Sequence, residues 1–365
     1  MKTIKMLTLT VLCLTLVSSI SFASWVFDGY INLEPSTNSA DSAILPISMA
    51  IDSAGDIYYS TFNATGVATT CAVWKISNPL TSPSFTALDL FPGMVNQRGF
   101  GYISIDKTNN KLYTATEGGS NATDRIHKVD LNDPAYALDS SWGGGDGEIL
   151  GSDAVVGNTR VNTAIVTNTG EIIVGRLVGT TTPFTIVDST GTVNNGVCSA
   201  LPWSGLNPRD FAFDPVTNDV YATQNGRITK WTGGTATTAA SYVATDSTQE
   251  ASVSVAGEGI TIDTTNSANP IIYYSNITTT LADGGYYFAK FASDLSADNS
   301  DTLGTGAGGG DGTGPEISRP SDAEVWGGRL YAIDYDRVNF PPTWRRIVYY
   351  HGASVPVELS GFEAH

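Results

Sequence analysis

Four arginines stand just ahead of, or at the start of, stretches in which apolar and polar residues alternate: Arg98 in QRGFGYISI, Arg160 in NTRVNTAIV, Arg209 in NPRDFAF and Arg319 in SRPSDAEVW. Carboxylates occupy similar places, with Asp210 beside Arg209, Glu258 in GEGITID, and Asp322 and Glu324 after Arg319. A guanidinium presents a planar fork of donors that matches a carboxylate, sulfate or sugar-acid group bidentately. Arg98, Arg160, Arg209 and Arg319, with Asp210 and Asp322 among them, therefore predict a mixed-charge rim that holds a ligand. The competing expectation is structural: each arginine pairs with an Asp or Glu of a neighbouring segment and ties the fold together.

The elements that must carry this rim are repeated. ISMAIDSAGDIYYSTF is followed by CAVWKIS, GYISIDKTNNKLYTATE by RIHKVDL, TAIVTNTGEIIVGRL by FTIVDST, DFAFDPVTNDVYATQ by RITKW, GITIDTTNSANPIIYYSNI by YYFAKFA, and SDAEVWGGRLYAIDY by RRIVYYH. Each copy reads as an alternating strand, a turn, a strand rich in Tyr, Val and Ile, and a third β-branched strand. Asp52, Asp106, Asp214 and Asp263 close the first strand, where a carboxylate caps the turn by accepting main-chain N–H groups two residues on. Thr167 and Trp326 stand at that place in the third and sixth copies. No long segment has helical periodicity.

The copies begin near residues 48, 102, 163, 210, 259 and 322. Small sheets cannot bury both faces alone, so the copies must stack, and a closed ring removes the open ends. The expectation is an all-β, six-bladed β-propeller over residues 24–354, with SWVFDGYINL supplying the outer strand of the last blade. VPVELSGFEA is the other candidate for that place. His127 and His351 fall on third strands, away from the loops leading into the inner strands, which leaves nucleophilic triads without a suitable histidine. Two Gly-rich insertions, at 141–151 and 306–317, could shape a binding face or hold calcium through Asp146, Glu148 and Asp311.

Residues 1–23 have the anatomy of a secretory leader: Lys2 and Lys5, an apolar run from Met6 to Val17, and small residues around Ala23. That run is shorter than the roughly 20 residues that span a bilayer. The formal charge of −17 becomes −19 once the two leader lysines are lost. Such acidity argues against nucleic acid and anionic membranes, both polyanions that are met with Lys or Arg. The expected location is secreted, periplasmic or at the cell surface, with no transmembrane segment in the mature chain and residues 355–365 as a tail. Cys71 and Cys198 lie a full repeat apart, beyond the roughly 7 Å Cα separation a disulfide tolerates, and are expected as buried thiols.

NPRDFAFDPVTNDVYATQNGRITKW resembles an NHL-type propeller repeat, and the VPVELSGF segment is similar to C-terminal segments of bacterial exported surface proteins. The resemblance implies a propeller of a bacterial exported type; propellers of this kind include binding proteins, lactonases and lyases. GEGITID is also similar to the Glu-Gly motif of gluconolactonase and regucalcin-like propellers, which implies a central divalent cation such as calcium on Glu258, Asn162, Asp210 and Asp322. The main expectation is a noncatalytic recognition or scaffold protein without a cofactor, binding a carbohydrate, peptide or surface partner on its channel face. The alternative is a metal-dependent lactonase-like hydrolase or lyase using the central channel.

Overall fold

The computed structural model describes residues 25–33, 44–63, 71–88, 97–118, 124–151, 161–176, 184–194, 208–224, 227–234, 241–249, 257–276, 288–296, 320–335 and 345–352. Among the described residues the elements are strands, and they pair antiparallel in six units in chain order, the first three joined into one sheet by single bridges between Phe62 and Gly99 and between Thr163 and Tyr102. Unit one holds β2 (Ile44–Ile51), β3 (Ile57–Asn63), β4 (Val73–Ser77) and β5 (Ser84–Leu88); unit two holds β6 (Gln97–Asp106), β7 (Lys111–Gly118), β8 (Arg125–Asp130) and β9 (Glu148–Leu150). Unit three comprises β10 (Val161–Val166), β11 (Ile172–Arg176), β12 (Phe184–Val187) and β13 (Val193–Asn194), and unit four β14 (Phe211–Phe213), β15 (Val220–Gln224), β16 (Arg227–Thr232) and β17 (Val243–Gln249). Unit five has β18 (Gly257–Asp263), β19 (Ile271–Asn276) and β20 (Phe288–Ala292). Unit six has β21 (Pro320–Trp326), β22 (Arg329–Tyr335) and β23 (Arg345–Gly352), and β1 (Trp25–Asn32) adds to it antiparallel, from Trp25 opposite Gly352 to Asn32 opposite Arg346, with one shift of register between Phe27 and Gly29.

Period-two alternation explains how the units stack. In a strand, successive side chains point to opposite faces. Ile57 and Tyr59 therefore enter the apolar cluster shared with unit six, while Tyr58 between them enters the cluster shared with unit two. Ala212 and Tyr221 pack toward unit five, and their neighbours Phe211, Phe213, Val220 and Ala222 toward unit three. One apolar cluster lies at each junction from unit one to unit six, and another joins unit six, with Ile31 and Leu33, back to unit one. Fully buried Trp142, Trp231, Phe184 and Phe211 are among the largest side chains in these interfaces, each contributing roughly 1.5–3 kcal/mol through apolar burial.

The fourth strands escaped the sequence reading. β5 is short and largely exposed, so it shows neither a continuous apolar run nor a buried alternation. The Gly-rich stretch near 141–151 is also placed differently from a channel-face loop. It buries Trp142 edge-on to Tyr113 between units two and three and leads into β9, which pairs with β8 at the outer edge of unit two. Asp146 there caps its own turn, accepting from the Glu148 N–H at 3.0 Å. Residues 306–317, Asp311 included, lie outside the described residues.

A cross-strand pair that the sequence reading missed recurs in four units: Tyr58 opposite Lys75, Tyr113 opposite Lys128, Tyr221 opposite Lys230, and Tyr273 opposite Lys290. In three of them the ammonium stands 5.4–5.8 Å from the ring centroid and also meets a carboxylate: Asp56 at 2.8 Å, Asp139 at 3.4 Å or Asp219 at 2.9 Å. Burial pushes the Tyr58, Tyr113 and Tyr221 phenols up, so they stay neutral beside the lysines. The signal was available, since a lysine recurs in each third-strand segment, KIS, HKVD, ITKW and FAKFA.

Candidate functional site

The first strands of all six units, β2, β6, β10, β14, β18 and β21, lie side by side around a central cavity. Its volume is about 240 Å³, and it is lined by residues 48–50, 103–105, 165–166, 210–213, 260–262 and 322–324. Lys107, Pro215 and Thr264 extend the lining at the end where the first strands turn into the second. Apolar residues are numerous in the lining, but Phe211, Phe213, Ile103, Ile105 and Ile260 turn their side chains into the junction clusters, and the wall itself presents more polar than apolar surface. Charge enters at Asp210 and Asp322, both buried, and at Glu324 and Lys107, which pair at 3.2 Å.

Both aspartates reach across a junction. The Asp210 carboxylate accepts from the Phe211 N–H at 2.8 Å and from the Ile260 N–H of unit five at 2.9 Å. The Asp322 carboxylate accepts from the Ala323 N–H at 2.8 Å and from the Met49 N–H of unit one at 2.8 Å. Each carboxylate thus satisfies a buried main-chain donor of the next inner strand, which would otherwise cost the full desolvation of that group. Hydroxyls do similar work elsewhere. Ser48 accepts from Ile103 N–H at 3.1 Å, Ser104 donates to the Ala164 carbonyl at 2.8 Å and accepts from Val166 N–H at 3.0 Å, and Thr163 donates to the Arg209 carbonyl at 2.9 Å. Between units five and six the contact is steric. A Cβ on Gly259 would stand 2.5 Å from the Ser321 carbonyl oxygen and 2.7 Å from Asp322 Cα, so only glycine lets β18 approach β21 this closely. That close approach is a structural reason for the Gly of GEGITID.

Burial holds both carboxyls above the usual range. Asp322 is pushed up to about 7, chiefly by desolvation, against the hydrogen bonds of Ser48, Met49 and Ala323 and with the Glu324 charge adding to the rise. Asp210 is raised well above its ordinary value, first by burial and then by the charge of Asp322. Because the Asp322 charge adds to the rise at Asp210, the two carboxyls titrate as a linked pair.

The remaining candidates sit as follows. Arg209 is half-buried just before β14; its N–H donates to the Thr223 carbonyl at 2.9 Å, and its side chain is not part of the cavity lining. Arg98 lies within β6, which begins one residue earlier, at a bulge against β7. Asn162 and Glu258 lie within β10 and β18, and the side chains of Arg98, Asn162 and Glu258 fall outside the described ones. Arg160, Arg319 and Cys198 lie outside the described residues, as do residues 1–24 and 353–365. Cys71 is buried. His127 is buried on β8, 3.2 Å from Glu148, and burial lowers its pKa; His351 is on β23. Among the described residues, no three His, Cys, Asp or Glu side chains group as metal ligands, and no helix is long and apolar enough to cross a membrane.

No protein-family model and no curated protein matches the chain. Solved structures do resemble it. The calcium-binding protein regucalcin from Agrobacterium tumefaciens superposes with a TM-score of 0.51 at 12% identity, over 91% of this chain and 94% of that one. A catalytically inactive virginiamycin B lyase from Staphylococcus aureus with quinupristin gives 0.50 at 12% identity over 90% of each chain. The β-propeller domain of Swd1 from Myceliophteria thermophila gives 0.50 at 10% identity, over 85% of this chain and 84% of that one. The chain is an all-β protein of the β-propeller class. The class includes enzymes and binding proteins alike, so function has to be argued from the site.

Proposed function

We propose that the chain is an exported, noncatalytic recognition protein of NHL type, a six-bladed ring in which β1 completes the last blade, and that its channel holds part of a carbohydrate, peptide or surface partner. The observation that carries this reading is the use made of Asp210 and Asp322. They are the charged groups deepest in the cavity, and each has both oxygens engaged by main-chain N–H groups that join one inner strand to the next. Carboxylates held this way build a rigid cavity rather than a reacting centre. A preformed concave site with a few fixed polar groups is where ligands are held, and a wall with more polar than apolar surface suits a polar ligand such as a carbohydrate or peptide. The acidic charge and the leader anatomy support export and a non-nucleic-acid partner.

A metal-dependent lactonase-like hydrolase or lyase is the rival, and the same aspartates favour it. A carboxylate has about four lone-pair positions, and two main-chain bonds leave room on each for a hard cation such as calcium. The two readings part on metal content. The purified mature protein is expected to carry no stoichiometric divalent ion and to show no hydrolysis of lactones with calcium, manganese or zinc added. It is expected to shift its melting temperature with members of an oligosaccharide and peptide panel. One tightly held ion per chain, removed by chelation together with a lactonase or lyase activity, would overturn the recognition reading in favour of the rival.

A further inference from the structure

Side chains of the first strands alternate between the two junctions beside them, so the groups that face the cavity are largely main chain. In an antiparallel pair, residues alternately turn N–H and C=O toward the partner strand and away from it. Where the first strands line the cavity, each has its own second strand on one side and the cavity on the other. Its away-facing residues form two tiers. The deeper tier is occupied: the N–H groups of Met49, Phe211, Ile260 and Ala323 donate to Asp210 or Asp322, and that of Ile103 to Ser48. Two residues on lies the turn-side tier, where Ser104 takes the Val166 N–H at 3.0 Å. Ile105, Phe213 and Ile262 stand at that level, each two residues after an occupied donor, so their N–H and C=O groups face the cavity they line. Among the described residues no acceptor takes these three N–H groups.

This pattern selects a ligand. An N–H beside a C=O on each strand suits a group that both accepts and donates, as a hydroxyl does. Full charge does not suit it. The residue after each of the three is an aspartate, Asp106, Asp214 or Asp263, which disfavours an anion, and the inward N–H groups disfavour a cation. Lys107 and Glu324, paired at 3.2 Å, offset one another at the same end. A volume of about 240 Å³ is below the roughly 300 Å³ at which pockets for drug-sized ligands begin, so it admits one small unit rather than a length of chain. We propose that the turn-side end of the cavity is a subsite for a single neutral, hydroxyl-rich unit, a sugar ring or a polyol, held by the main chain of Ile105, Phe213 and Ile262. The subsite rests on the reading of the channel as a recognition site and names the class of what is recognised.

The three amides report on it directly. In isotope-labelled mature protein, glucose, galactose and myo-inositol are the neutral probes, with gluconate and glucosamine as charged analogues of similar size. At least one neutral probe is expected to move the Ile105, Phe213 and Ile262 amide resonances saturably, and the charged analogues to bind more weakly. Ile262→Pro deletes one donor on the side of β18 that carries no ladder bond, where proline is tolerated. Affinity is expected to fall about two- to tenfold, the range of one neutral hydrogen bond, while Ile262→Val, which keeps the N–H, leaves it unchanged. Resonances that stay still with all three neutral probes overturn the subsite, as does tighter binding of a charged analogue or an equal loss in the two variants. If Ile262→Pro does not fold, the resonances of the parent protein decide alone. A panel member that raises the melting temperature while these amides stay still ends the subsite and leaves recognition standing. A bound ion with lactonase activity ends the recognition reading, and amides that still move with a neutral probe keep the subsite.

Discussion

Two sets of aspartates stand at opposite ends of the inner strands and do the same chemistry at very different range. At the turn ends, Asp52 accepts from the N–H groups of Ala54 and Asp56, Asp106 from those of Thr108 and Asn109, Asp214 from that of Val216, and Asp263 from that of Thr265. All are within four residues. At the opposite ends, Asp210 reaches a donor 50 residues away and Asp322 one 273 residues away. The first set shapes a hairpin within one unit, with Asp52, Asp106 and Asp214 buried and Asp263 half-buried. The second set is also buried but joins one unit to the next. The difference teaches that in a ring of repeated sheets, local caps make the units while long-range caps of the same residue type make the assembly.

The sharpest way to break this comparison is to remove one carboxylate from each set. Asp322→Ala orphans the Met49 and Ala323 N–H groups in a buried place, and at about 1–3 kcal/mol per unsatisfied donor the loss should be roughly 2–5 kcal/mol. Asp263→Ala removes one exposed turn bond and should cost about 0.5 kcal/mol. Urea unfolding of the two variants and the parent measures both. Equal losses would mean that Asp322 is no more than another turn cap.

Proton linkage gives a second, smaller separation. The folded-state value of Asp322, about 7, lies above the roughly 3.9 of an unfolded aspartate. A raised acid stabilises the folded state below the unfolded value, and that contribution is lost as pH climbs toward the folded one. Asp210, raised in the same direction, adds to the effect. The stability gap between the parent and Asp322→Ala is therefore expected to be widest near pH 4 and to narrow through pH 7. A gap that stays constant from pH 4 to 8 would show that no proton is held at this junction.

Range also decides what could be read from the sequence. A turn Asp followed by Gly, Asn or Ser carries its partners with it, so the four closing aspartates and the strands they end were legible, as was the all-β repeat. The Asp210 and Asp322 bonds were not. Their partners are main-chain donors on other repeats, and a main-chain N–H has no letter in the sequence. The same two residues were read instead as rim or metal ligands, from their place ahead of the inner strands and from resemblance. The fourth strands and the Tyr–Lys pairs were missed for lesser reasons, β5 because an exposed short edge strand has no apolar signature, and the lysines because cross-strand partners align only once register is known.

Unit three offers the finest test, because it lacks the turn aspartate. There Thr167 takes its place and Glu171, four residues on, supplies the carboxylate, accepting from the Thr167 hydroxyl at 3.1 Å and also from that of Thr169. The substitute is weaker in principle. Its partners are hydroxyls, which can rotate to other acceptors when the carboxylate is gone, whereas the main-chain donors at Asp322 are fixed. Glu171 is largely buried at 8% exposed, so Glu171→Ala should still cost about 1 kcal/mol, well under the loss at Asp322. Adding Thr167→Asp to that variant should restore most of it, because the new carboxylate can accept from the Thr169 N–H that now meets Thr167 Oγ1 at 3.4 Å. Urea midpoints of the single and double variants measure this. A double variant no more stable than Glu171→Ala would show that the turn of unit three cannot use the cap of its neighbours, and that its glutamate serves a different purpose.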